Sequence, residues 1–184
     1  KDQIQDFEDL GIMLSEGVTK RDLLFSFSEK EYASTPYQLL LIAMGNEIEK
    51  EPWGRRVSDQ ALNLDFECIE DNKSYVTIVK RLCRLAGVDE KLNAVIGDID
   101  FEAQSAELAY KLGDKVRKLS PNFDRDWLDK SILDTVICDI EAQADNGKHF
   151  WIVDNGQALV FLFITDAKAK KLNKLKSRLV SRYG

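Results

Sequence analysis

The sequence predicts an α+β fold, with three N-terminal helices followed by a largely antiparallel sheet packed with helices and ending in a basic amphipathic helix. Three observations carry this. Apolar residues recur at helical spacing through residues 1–58. From residue 59 onward, period-two alternation interleaves with helical stripes. An Asn-Gly pair, Asn155-Gly156, then separates two β-rich runs. The 184 residues are 44% hydrophobic and 32% charged, which suits one globular domain with a helical part at 1–58 and an α/β core at 59–184.

Taken in order, Ile4, Phe7, Leu10 and Leu14 predict a first helix, stopped by Gly17. Thr19 can cap a second, with Leu23, Leu24 and Phe27 as its apolar positions. Pro36 suits the first turn of a third, with Thr35 or Ser34 as cap, running through Leu39–Met44 to Gly45. Glu47–Ser58, containing Pro52, Trp53 and Gly54, reads as a loop. Leu62, Leu64, Phe66 and Cys68 alternate with Asn63, Asp65 and Glu67, the mark of a half-buried strand. After a turn at 71–74, Ser74 can cap a helix whose stripe is Tyr75, Ile78, Val79, Leu82 and Leu85, closed by Gly87.

Leu92–Phe101 is a second strand, and Gly113-Asp114 joins two more in a hairpin. Asp124 or Asp126 can cap the next helix, with Trp127 as a core anchor at its start. Leu128, Ile132, Leu133, Val136, Ile137, Cys138 and Ile140 supply its inner face, and Asp145-Asn146-Gly147 ends it. Asn155-Gly156 predicts a type I′ hairpin. Ala158–Ile164 is apolar at nearly every position, as an inner strand covered on both faces should be. Asp166 caps the last helix, on which Leu172, Leu175 and Leu179 share a side.

Charge is unevenly spread. Residues 166–184 hold seven Lys or Arg against one acid, so with a total of −6 the preceding residues carry −12, from 19 bases and 31 acids. A pI near 5.0 excludes general nucleic-acid binding, leaving only weak contact through the basic terminal helix. No stretch reaches the ~20 apolar residues of a membrane span, and the opening KDQIQDFEDL has no signal-peptide pattern, so no membrane partner is expected. Cys68, Cys83 and Cys138 are odd in number and far apart, which fits reduced thiols in the cytoplasm. No phosphate-binding glycine pattern or nucleophile elbow occurs, and His149 is the only imidazole. The sequence thus implies no enzyme, no cofactor and no metal site.

The acids offer one constellation. Asp98, Asp100 and Glu102 fall at period two, as do Asp65 and Glu67, which Glu70 and Asp71 follow. Should those two strands pair, five carboxylates would share a surface able to dock a basic protein. The same residues suit a plain solvated face, or oxygen ligands for Mg²⁺ or Ca²⁺ in a small metal-dependent hydrolase. Trp53, beside Arg55 and Arg56, is the aromatic candidate for a partner contact.

The segments holding Glu67, Cys68, Ile69, Glu70 and Tyr75, then Asp126, Trp127 and Asp129, then Gly156 and Gln157, resemble a loose group of uncharacterised bacterial α/β proteins of the toxin-immunity type. The resemblance covers about residues 60–165. It implies a small acidic cytoplasmic inhibitor whose partner is a cationic protein such as a toxin or nuclease domain. From the charge pattern itself the expected contact residues are Asp65, Glu67, Glu70, Asp71, Asp98, Asp100 and Glu102, with Trp53 from its arginine-bearing loop.

Overall fold

The computed structural model describes residues 2–184 and shows an α+β protein with seven α-helices and two antiparallel sheets. Where the sequence reading puts one domain with an internal change near residue 58, contacts divide the chain into two units. The first joins Lys1–Leu64 to His149–Tyr183, and the second is Asp65–Lys148 with Gly184.

In the first unit the expected helices are α1 (Gln3–Glu8), α2 (Lys20–Ser26) and α4 (Gln38–Met44), with a further short one, α3 (Glu29–Ser34), between. Thr19 and Asp22 form a capping box on α2, and Ser28 and Glu31 form another on α3. Those boxes explain why so short a pair of helices is distinct. Ser34 and Thr35 close α3 rather than cap α4. The first helix also stops earlier than its pattern suggests, and Leu10 and Leu14 reach the core from irregular chain.

The sheet of this unit runs in the order β1 (Ala61–Asp65), β6 (Ala158–Thr165), β5 (Lys148–Asn155), β7 (Ser181–Arg182). β6 is therefore an inner strand, as its apolar run requires. Val160, Leu162 and Ile164 join the helical core with Phe7, Leu41 and Met44. Phe161 and Phe163 pack on Phe150 with ring centroids 6.0 and 4.9 Å apart, and Phe161 also meets Tyr183 at 5.3 Å. The β5–β6 hairpin turns on Gly156-Gln157, one residue later than the Asn-Gly signature implies. Gly156, at φ 73, takes the first central position, while Asn155 stays in the strand.

α7 (Asp166–Leu175) is capped by Thr165, whose Oγ1 accepts from the Lys168 N–H at 3.3 Å, with Asp166 as the first helical residue. Nor does the chain end in that helix. The Asn173 amide bonds both the N–H and the C=O of Val180, each at 2.9 Å, and this folds the tail back so that β7 pairs with β5. Leu179 is accordingly buried from beyond the helix.

The second unit is a three-stranded antiparallel sheet, β2 (Leu92–Asp100), β3 (Ser105–Leu112) and β4 (Lys115–Leu119), covered on one face by α5 (Ser74–Ala86) and α6 (Lys130–Ala144). Ile99, Ala106, Leu108, Tyr110 and Leu112 of the sheet are buried, as are Val76, Val79 and Leu82 of α5 and Leu133 of α6. α6 begins later than expected, because the Asp129 carboxylate accepts the Ser131 N–H at 2.8 Å and caps it. Trp127 is correspondingly no core anchor. It sits in extended chain, 42% exposed, while its neighbour Leu128 is buried and bonds Phe66 O. Cys138 is also exposed, since it falls on the outer stripe of α6 with Ser131 and Asp134.

One polar group is built into this unit's interior. Asp139 on α6 is 2% exposed and takes a bidentate fork from Arg117 on β4, at 2.7 Å to each oxygen. The Tyr110 hydroxyl on β3 donates to it as well, at 2.8 Å. Burial alone would raise this carboxyl's pKa, but the Arg117 and Tyr110 bonds together outweigh burial and hold it below the ordinary value. A carboxyl with a lowered folded pKa stabilises fully above its unfolded range, about pH 4, and loses that contribution as pH falls through the folded value. Asp139→Asn should therefore cost about 2–3 kcal/mol in urea unfolding at pH 7 and flatten the loss of stability below about pH 4. A cost below about 0.5 kcal/mol would contradict the clamp.

Candidate functional site: an acidic surface

The two strands carrying the acidic pattern do not pair. β1 lies beside β6 and β2 beside β3, in different sheets, so five carboxylates do not line one ladder. Period two shows which face a residue takes but not which strand is its neighbour. All seven acids are nonetheless exposed and all belong to the second unit.

Most of them also build the turns they stand on. Asp65 Oδ1 accepts the Glu67 N–H at 2.9 Å. Glu67 forms an isolated β-bridge with Trp127. Asp71 Oδ1 accepts from the Lys73 N–H at 2.7 Å and the Ser74 hydroxyl at 3.2 Å. Ser74 is no cap for α5. Its Oγ accepts instead from the N–H groups of Glu70 and Asp71, both at 3.1 Å, and so closes the preceding turn. This turn is carried to β2, where Asn72 Nδ2 donates to Asp98 Oδ1 at 3.0 Å and Lys73 Nζ lies 3.4 Å from the same atom. Lys73 also donates to Gly97 O at 2.8 Å. Asp100 Oδ1 accepts from the N–H groups of Glu102 and Ala103, at 2.9 and 2.8 Å. The structure thus brings Asp71 and Asp98 together through Asn72 and Lys73, and Glu102 to Asp100 through the backbone.

The charge behind this surface is larger than the sequence order suggests. Residues 65–148 hold 18 acids and 12 bases, a balance of −6, while the rest of the chain holds 14 of each and is neutral. The whole net charge therefore resides in the second unit. The basic terminal stretch belongs to the first unit and is balanced there by the acids of residues 1–64. Arg182 lies 3.6 Å from Asp166, and Lys176 donates to Gln38 at 2.8 Å, while Lys170, Lys171 and Lys174 are exposed.

Trp53 belongs to the first unit, 68% exposed. Its loop is closed by the Glu47–Arg56 bridge and by the Ile48 N–H donating to Arg55 O at 2.8 Å. Lys50 anchors the loop on buried Asp22 at 2.7 Å, and Lys50 and Thr19 hold the Asp22 carboxyl well below the usual carboxylate range. Sequence reasoning missed Phe25, 57% exposed, with Lys50 Nζ 5.9 Å over its ring. It also missed Ile96 and Val116, 70% and 66% exposed on the open face of the second unit's sheet. Ile96 was legible, for it shares the parity of Asp98 and Asp100.

The thiols take little part. Burial pushes Cys68 up to about 11 and Cys83 to about 12, so both stay protonated at neutral pH. His149 is half-buried on β5, in the first unit. Among the described residues no helix is long and apolar enough to cross a membrane. Comparison with protein-family models, with curated proteins and with solved structures finds no match to the chain.

What the acidic surface offers is negative charge open to water, with one oxygen each of Asp65, Asp71, Asp98 and Asp100 tied to the backbone or a neighbour. Among the described residues no three His, Cys, Asp or Glu side chains gather as a cation's ligands would. Loading with 1 mM Mg²⁺ or Ca²⁺ should accordingly move the melting temperature by less than about 1 °C, since only tight ligands of the folded state stabilise it. A rise of many degrees at sub-millimolar Ca²⁺, read by differential scanning fluorimetry, would show a true metal site.

Proposed function

We propose that the chain is a non-catalytic binding protein, most concretely a cytoplasmic immunity-type inhibitor that neutralises a basic toxin or nuclease domain through the acidic surface of its second unit. The observation that carries this reading is the concentration of the whole −6 charge in residues 65–148, with Asp65, Glu67, Glu70, Asp71, Asp98, Asp100 and Glu102 all exposed there. Opposite charge accelerates encounter and fixes orientation, while a few exposed apolar side chains, here Ile96 and Phe101, supply contact area.

Asp98→Asn with Asp100→Asn tests it. Asparagine keeps the acceptor oxygen used by Asn72 and by the Glu102 and Ala103 N–H groups, so the turns survive while two charges go. Stopped-flow association with a cationic nuclease domain should slow about several-fold at low salt, and the difference should shrink at ~0.3 M salt as screening shortens. Unfolding free energy should change by less than about 0.5 kcal/mol. Association at the wild-type rate in low salt would contradict the reading.

A further inference from the structure

The three-stranded sheet leaves two edges, and they differ. β2 has nine residues and pairs with β3 on one side only. Successive residues of an antiparallel edge strand turn their N–H and C=O alternately toward the partner strand and away from it. Gly97 sets the phase, because its carbonyl is taken by Lys73, from outside the sheet, at 2.8 Å. Val95, Gly97 and Ile99 therefore direct their backbone groups outward, while Ile96, Asp98 and Asp100 bond β3. Among the described residues, no backbone hydrogen bond joins residues 93–100 to any segment but β3. Among the described residues the Lys73 ammonium is the side chain seated on these outward groups, and it is the kind of charged guard that edge strands carry.

The side chains beside this edge are acidic and apolar. Ile96, Asp98 and Asp100 stand on the exposed face of β2, with Glu107 opposite Asp98 on β3 and Glu102 just beyond. The other edge, β4, has five residues and carries Lys115, Arg117 and Lys118. A basic strand is thus attracted to β2 and repelled from β4. Gly97 lets β2 pack closely within its own unit, since a Cβ there would lie 2.9 Å from Glu107 O on β3 and 3.2 Å from Val76 Cγ2 on α5.

We propose that the outer edge of β2 is a strand-addition site for an extended basic segment of the protein partner, which extends the sheet to four strands. Its backbone pairs with Val95, Gly97 and Ile99 and displaces Lys73 from Gly97 O, while alternate Lys or Arg side chains lie beside Asp98 and Asp100 and an apolar one beside Ile96. This rests on the acidic-surface reading above and adds to it the mode of docking.

Two peptides of equal length and charge separate the two. One is a nine-residue Val/Thr strand with three alternate lysines, and the other a proline-rich peptide with three lysines, which lacks the N–H groups a ladder needs. Amide exchange of the whole protein is followed by NMR as each is added. The strand peptide at ten times its Kd should slow exchange at Val95, Gly97 and Ile99 about tenfold, and the proline-rich peptide should leave these amides unchanged. Equal, salt-sensitive binding of both peptides without protection overturns strand addition and leaves the acidic surface standing. Salt-sensitive binding of neither overturns both. Protection of the same amides without peptide, growing with protein concentration, assigns the edge to a second copy and overturns the proposal as well.

Discussion

One buried carboxylate ties the second unit's sheet to the helix that covers it. Asp139 accepts three hydrogen bonds, from Arg117 on β4 and Tyr110 on β3, and in doing so ties two strands to α6. Charge-assisted, bidentate bonds of this kind are directional as well as strong, so they reinforce the register that the buried apolar face already specifies. Because Tyr110 and Arg117 must point inward, alternation sends Lys111, Val116 and Lys118 outward, and on β2 it sends Ile96, Asp98 and Asp100 to the same open face. The acidic surface is in this sense the reverse side of an internal clamp.

Charge and backbone then work at different ranges. Net charge confined to one unit raises the rate at which a cation meets it, over roughly the 8–10 Å that salt permits. It cannot by itself hold a register, since exposed ion pairs contribute little. An unpaired strand edge does the opposite, with no reach but a defined ladder. Edge strands are usually guarded, and Lys73 guards this one at Gly97. A partner supplying its own lysine or arginine beside Asp98 replaces what Lys73 provides there, so opening the edge leaves no acid newly unpaired.

Local chemistry in this chain was largely legible, and its long-range pairing was not. The Thr19 cap, the left-handed Gly87 stop of α5, the left-handed stop at Asp145 and the inner position of β6 all follow from patterns within a few residues. The errors came where several residues of one type compete for a role. Asp124, Asp126 and Asp129 can each cap a helix, and the one whose carboxylate reaches the Ser131 N–H wins. Ser74 reads as a cap but closes the turn behind it. Residue type points Trp127 and Cys138 inward, whereas Trp127 is exposed in extended chain and Cys138 lies on the outer stripe of α6. For the site, exposure of the seven acids was readable from alternation. The charge balance was not, because the chain returns after residue 148 to the unit it began with, so the basic terminal stretch neutralises the wrong acids for any linear reading.

Whether the second unit holds a cationic partner can be read by mapping a basic nuclease domain on the ¹⁵N-labelled chain at low salt. Perturbed amides should cluster within residues 65–75 and 93–103 and fade as salt is raised. Perturbation centred instead on Phe25, Lys50 and Trp53 of the first unit, or unaffected by salt, would contradict docking on the second unit.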